Sequence, residues 1–298
     1  MLRLSIVRHW PVLIAMVGGA ACASAPVPAG APVPTSPREP DRPAITVPST
    51  SVPSTFTYAE GTSRYDLDQM TTIVVGADGG ATAEDSLRTI AGLTLSVTGA
   101  ATTITIDSMV ITSVRDTLTP VRQLSAPVVV QAPILPTVQQ GSDSTALFST
   151  CDSMEEAARV LAGDVHVPIP VAVARAQTWR DSTTSTLCRG GIPLTVTRVS
   201  DFQISDVRSS GDSTVATVQR HTVLTLTGSG LQGSRRITVR GDGTSETVFT
   251  YDLRGGRFLG SSGQSELRLG FETIQQTEQV VQRSTSSVRL RPAVGGPY

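Results

Sequence analysis

Residues 235–253 read RRITVRGDGTSETVFTYDL, and this stretch decides the fold class. Ile237 and Val239 share one parity, as do Phe249, Tyr251 and Leu253. Side chains alternate across a strand, so such runs bury one face and wet the other. Gly241-Asp242-Gly243 between them carries a turn signal, and Arg254-Gly255-Gly256 carries another. The spacing therefore predicts two strands, Arg235–Arg240 and Thr247–Leu253, with hairpin turns at both glycine sites.

The same grammar extends in both directions. Downstream, Leu267, Leu269 and Phe271 alternate within Glu266–Ile274, and a last strand is expected over Val280–Leu290. Upstream, Ser210-Gly211-Asp212 precedes a strand over Val215–Leu226, and Leu194, Val196, Phe202 and Ile204 alternate before it. Towards the N-terminus, Phe56, Tyr58, Tyr65, Leu67 and Ile73-Val74-Val75 lead to a turn at Asp78-Gly79-Gly80. Leu93, Leu95 and Val97 mark a strand starting near Leu87, and Gly99-Ala100 turns into a third from Ile104 to Val114. Turns recurring about every ten residues imply an all-β sandwich, barrel or half-barrel. The expected fold is mainly β: a curved antiparallel sheet, half-barrel or open barrel, with one short covering helix, after a disordered N-terminal region.

The helix is expected from Ser153-Met-Glu-Glu156, a capping-box pattern, with Gly163 as its stop. Met154, Ala157, Val160 and Leu161 fall at helical spacing. Residues 116–141 contain Pro120, Pro127, Pro133 and Pro136, so they are expected to be edge strands or a crossing loop, with a disordered insertion as the equal alternative.

Composition narrows function. The net charge is -1, so no basic field invites nucleic acid. The sequence has no Lys and no Asn, which excludes a Schiff-base lysine and a P-loop lysine. Aromatics are 4%, too few for the girdles of a transmembrane barrel.

The first 21 residues have the parts of a secretory signal peptide: Arg3 and Arg8, the apolar run Pro11–Val17, then Gly18-Gly19-Ala20-Ala21. Cys22 follows. Gly19-Ala20-Ala21-Cys22 resembles the lipobox of bacterial lipoproteins, departing at Gly19, where Leu or Val is usual. Cleavage at Ala21-Cys22-Ala23 without lipidation is the alternative. Residues 22–54 read as a Pro-rich linker, 55–291 as one β-rich domain and 292–298 as a tail. Ala23 after a lipidated Cys22 would imply outer-membrane sorting.

Cys151 and Cys188 lie 37 positions apart, and an exported chain meets an oxidising compartment, so a disulfide is expected. Other motifs lead to ordinary structure. Gly228-Ser-Gly230-Leu-Gln-Gly233 matches GxGxxG but precedes an alternating run rather than a helix, and reads as a glycine-rich β-turn. Arg240-Gly241-Asp242 reads as turn chemistry. Beyond the signal, His166 and His221 stand apart without metal-ligand spacing, so no metal and no cofactor are expected. Gly211-Asp212-Ser213 lacks the matching Asp-x-x-His of an esterase. Trp179, with Arg180 and Asp181, reads as core more readily than as a site.

Taken with Cys22 and the Pro-rich linker, the order Pro168-Ile-Pro170, Gln177-Thr-Trp179-Arg-Asp181, Cys188-Arg-Gly-Gly-Ile-Pro193 and Val288-Arg-Leu290 resembles β-rich envelope lipoproteins of GC-rich bacteria. More distantly, a curved sheet with a covering helix is similar to the half-barrels of lipoprotein carriers. The resemblance implies no site residues.

The expected function is non-catalytic. The chain reads as a lipid-anchored, periplasm-facing envelope module for an apolar ligand or an envelope protein, with its membrane contact through the anchor. The alternatives are an assembly lipoprotein acting through protein contacts, and an enzyme with a site near Trp179 and His166.

Overall fold

The computed structural model describes residues 54–77, 83–99, 101–116, 119–132, 154–165, 167, 169–189, 191–232, 235–274 and 277–292. Strands dominate. They are β1 (Ser54–Thr55), β2 (Gly61–Ala77), β3 (Ala83–Thr98), β4 (Ala101–Ser113), β5 (Pro120–Gln123) and β6 (Val128–Ala132). After helix α1 (Met154–Val165) come β7 (Ala172–Val173), β8 (Thr178–Arg189), β9 (Ile192–Ser210), β10 (Ser213–Gln232), β11 (Arg235–Asp252), β12 (Arg257–Glu272) and β13 (Thr277–Leu290).

Eleven strands form one antiparallel sheet in the order β5-β4-β3-β2-β13-β12-β11-β10-β9-β8, with β6 also on β4. Two meanders, β2–β4 and β8–β13, are joined where β13 pairs with β2. The sheet curls but does not close: β8 is one edge, and β5 and β6 share the other. The mainly β, open-barrel expectation and its covering helix are therefore borne out. The proline-rich stretch also behaves as expected where it is described, since β5 and β6 are short edge strands.

Parity decides what faces the concave side. On β10, Ala216, Val218, Leu224 and Leu226 are buried; on β11, Ile237, Val239, Phe249 and Tyr251 are buried. Register shifts between Gly92 and Leu93, Thr217 and Val218, and Thr250 and Tyr251 mark bulges, which add twist and help the sheet coil.

Three expectations are corrected. Gly241-Asp242-Gly243 is not a turn: β11 runs unbroken from Arg235 to Asp252. Both glycines have concave-side parity, and a Cβ at Gly241 would come 2.6 Å from the Arg268 carbonyl oxygen. Arg240-Gly241-Asp242 is accordingly strand. Gly228 and Gly230 likewise sit within β10, not in a turn, and Gly233 lies outside the described residues. In both places glycine serves close backbone approach rather than reversal of the chain. Finally, α1 passes through Gly163 and ends at Val165. The turns at Gly99, Gly211 and Gly256 do form, each with glycine at positive φ.

One end of the barrel is filled by aromatic rings. Phe56 packs edge-on against Tyr58 and Tyr251, with centroids 4.8 and 5.6 Å apart. Tyr65 and Phe258 lie 5.2 Å apart, and the Tyr65 hydroxyl donates to the Phe258 carbonyl at 2.9 Å. The small β1–β7 pair and the Ala59 amide, which donates to the Gly256 carbonyl at 2.9 Å, hold this plug in place.

Helix α1 lies in the concavity and buries Ala157, Ala158, Leu161 and Ala162. Glu155 and Glu156 suit the positive end of the helix dipole, and Glu155 accepts from Arg159 at 2.7 Å. Asp164 in the last turn opposes the dipole, and the sheet compensates with arginine.

Candidate functional site

The concave face is banded. A row of hydroxyls crosses six neighbouring strands in register: Thr71, Ser284, Ser265, Ser245, Thr222 and Ser200. All six are buried. Thr71 and Ser284 hydroxyls meet at 3.0 Å, and Ser200 and Thr222 at 2.8 Å. Asp181 stands opposite Ser200 at the β8 edge. The next row carries Trp179, Phe202, Arg220 and Thr247 in register. On the other side of the hydroxyls lie the aliphatic side chains Leu224 and Leu267, then Leu226 and Leu269. A polar belt thus separates an aromatic plug from an aliphatic layer.

Arg220 is the charged member of the belt, with only 6% of its surface exposed. Its Nη1 donates to the Asp164 carbonyl of α1 and its Nη2 to Thr247 Oγ1, each at 3.3 Å. The guanidinium carbon lies 5.0 Å from the Phe249 ring centre, a cation–π contact. Nε is buried and makes no hydrogen bond. Burial pushes the guanidinium down from its ordinary value, and the Asp164 charge only partly opposes this. The Asp164 carboxylate itself is held by Arg198 Nη1 at 2.7 Å. Ser265 Oγ, Gln282 Oε1 and Trp179 Nε1 are also buried without hydrogen bonds.

The aromatic plug is equally dry. Burial raises the Tyr65 phenol to about 12, and pushes those of Tyr58 and Tyr251 up as well. A cleft between Val165 and the ring pair Tyr65–Phe258 offers about 10 Å³, room for one water.

The convex face carries solvated ion pairs: Arg88–Asp68 at 2.6 Å, Arg180–Asp201 at 2.6 Å and Glu266 between Arg268 and Arg283. His221 Nδ1 lies 2.6 Å from Glu246 there, in the same rung as Asp201.

Of the residues singled out from sequence, Cys22, Cys151 and His166 lie outside the described residues. Cys188 is buried near the end of β8, and its amide donates to Glu156 Oε1 at 2.9 Å, bringing it to the first turn of α1. Trp179 packs against the core and stacks on Phe202 with centroids 5.0 Å apart. Arg180 points outward to Asp201, away from Trp179. Among the described residues no three His, Cys, Asp or Glu side chains converge as metal ligands, and no helix is long and apolar enough to cross a membrane. Sequence reasoning missed Arg220 and the hydroxyl row. Parity could have found them, since Arg220 and Thr222 are in step with Val218 and Leu224.

No protein-family model matches the sequence, and no curated protein matches it. Solved structures give remote likenesses. The neisserial surface protein A is 8% identical, with a TM-score of 0.21, over 77% of this chain and 99% of that one. A triple mutant of the Rhodopseudomonas blastica porin is 12% identical, with a TM-score of 0.22, over 76% and 100%. A LolA-superfamily protein from Nitrosomonas europaea is 12% identical, with a TM-score of 0.17, over 76% and 87%.

Proposed function

We propose that the chain is a non-catalytic cell-envelope protein, anchored through Cys22 and facing the periplasm, whose open barrel binds an apolar ligand. The supporting observation is the construction of the concave face. A large sheet curls around apolar side chains without closing, and among the described residues a helix of 12 residues lies against them, burying Ala157, Ala158, Leu161 and Ala162. That helix meets β8, β9 and β10 through named polar contacts from Glu156, Asp164 and the Asp164 carbonyl. A short element held this way can shift while the sheet keeps its hydrogen bonds, and that would expose an apolar trough. Native mass spectrometry and organic extraction of protein purified from envelopes test this. A co-purifying lipid or other apolar molecule is the expected result; protein that stays free of one, and takes up none from detergent micelles, overturns it.

A second reading is an assembly protein acting through protein contacts. One observation favours it: β8 is a 12-residue edge strand with no strand on its outer side among the described residues. Such an edge can accept a partner's strand. Crosslinking in intact envelopes from a position on β8, such as Thr184, separates the two readings.

A further inference from the structure

We propose that Arg220, with Thr247 beside it, forms an oxyanion site that takes the carboxylate head of a long-chain amphiphile, whose chain lies on the aliphatic layer of Leu224, Leu226, Leu267 and Leu269. This inference rests on the apolar-ligand reading above and names the class of ligand.

Three observations carry it. First, the guanidinium is buried yet poorly used. It has five N–H donors, a fork shaped for a carboxylate. Two of them bond, both at the long distance of 3.3 Å, and Nε bonds nothing. Second, the charges do not balance. Arg198 and Arg220 both reach Asp164, but its carboxylate is engaged by Arg198 and offers Arg220 only a backbone carbonyl. The carboxylates nearest in strand register, Asp201 and Glu246, belong to the opposite face, where Arg180 and His221 hold them. Asp181 on the same face stands two strands away at the β8 edge, so among the described residues no carboxylate contacts the buried guanidinium, which is what a monoanionic head would supply. Third, the surroundings suit an amphiphile. The Arg220 row is polar, and two rows away the same face becomes purely aliphatic. Capping the helix is a lesser role that engages a single N–H and needs no buried charge.

The test is calorimetric titration of the purified full-length chain with palmitate, hexadecanol and acetate. Palmitate is expected to bind about tenfold or more tightly than hexadecanol, because the charged hydrogen bonds are added to the same chain burial, and acetate only weakly. In Arg220→Met, palmitate is expected to fall to the level of hexadecanol, while hexadecanol is unchanged. If wild-type protein binds palmitate and hexadecanol equally, the oxyanion site is wrong and the apolar-ligand reading survives. If acetate binds as tightly as palmitate, the site is an anion site without an acyl chain, and the proposal is overturned. If neither long-chain compound binds, the apolar-ligand reading itself fails. Should Arg220→Met not fold, as judged by circular dichroism, Arg220→Lys keeps the charge without the fork and is expected to weaken palmitate alone. The wild-type comparison decides without any variant.

Discussion

The Asp164 carboxylate lies 2.7 Å from the Arg198 guanidinium, and this contact ties the last turn of α1 to strand β9. The pair is largely shielded, with 15% of the Asp164 side chain and 26% of the Arg198 side chain exposed. Asp164→Asn is therefore expected to cost about 2 kcal/mol in urea unfolding, since it removes the carboxylate that partly buried Arg198 holds, a loss that relief of the repulsion from the helix dipole only partly offsets. A double-mutant cycle with Arg198→Gln should return a coupling of about 1 kcal/mol or more.

The hydroxyl row predicts opposite outcomes for two similar substitutions. Thr222→Val removes the partner that Ser200 meets at 2.8 Å and is expected to destabilise by about 1–2 kcal/mol. Ser265→Ala deletes a buried hydroxyl that makes no bond and should be neutral or mildly stabilising, by up to about 1 kcal/mol. Midpoints of chemical unfolding measured side by side check both.

Gly241→Ala tests why glycine stands inside β11. The new methyl would come 2.6 Å from the Arg268 carbonyl oxygen and 2.6 Å from Leu269 Cδ2, both in the neighbouring strand. The carbonyl oxygen cannot give way without opening the β11–β12 pair, so a loss of about 1–3 kcal/mol is expected in thermal unfolding. Gly163→Ala, where a new Cβ would meet nothing within 4 Å, should show no such loss.

The aromatic plug predicts alkaline unfolding. Tyr58, Tyr65 and Tyr251 are raised above the ordinary phenol value of 10.0, Tyr65 to about 12, chiefly by burial. A raised folded-state value means that the folded chain holds its protons more tightly than the unfolded one. The contribution is thus fully present below pH 10.0 and is lost as pH climbs from there through about 12. In a spectrophotometric titration these three tyrosines should ionise late and together with loss of circular dichroism. Ionisation at the ordinary value with the fold intact would contradict the burial.

A bond between Cys151 and Cys188 is the last expected outcome. Glu156 at the start of α1 contacts the Cys188 amide and stands five positions after Cys151 in the sequence. Closing a loop of 37 positions would stabilise by about 4 kcal/mol in chain-entropy terms. Peptide mapping of the non-reduced protein should give the linked pair; two alkylatable thiols in the folded protein would sink the assignment.

Alternation made most of the sheet legible, because Phe249-Thr-Tyr251-Asp-Leu253 can bury one face only as a strand. Gly241-Asp242-Gly243 misled because local turn chemistry and long-range crowding ask for the same residue. Only the distance to Arg268 and Leu269, 27 and 28 positions away, tells them apart. Gly163 misled in the same direction: Asp164 and Val165 stay helical because Arg198 and Val165's neighbours in the core hold them there. Arg220 was hidden by chemistry, since a cation in an alternating run is ordinarily assigned to the wet face. Its parity pointed inward, against that expectation.

The pairing of β13 with β2 governs how this molecule can be made. Arg291 reaches back to Asp66 across 225 positions, and β13 is a keystone laid between two meanders. Contacts so distant along the chain form slowly, after much loop entropy has been lost. Until that final ribbon is in place, β2 and β12 each expose a naked edge, open to mispairing and to proteases. A stop codon placed only twenty residues early would therefore leave not a slightly shorter protein but two meanders without the ribbon that pairs them into one sheet.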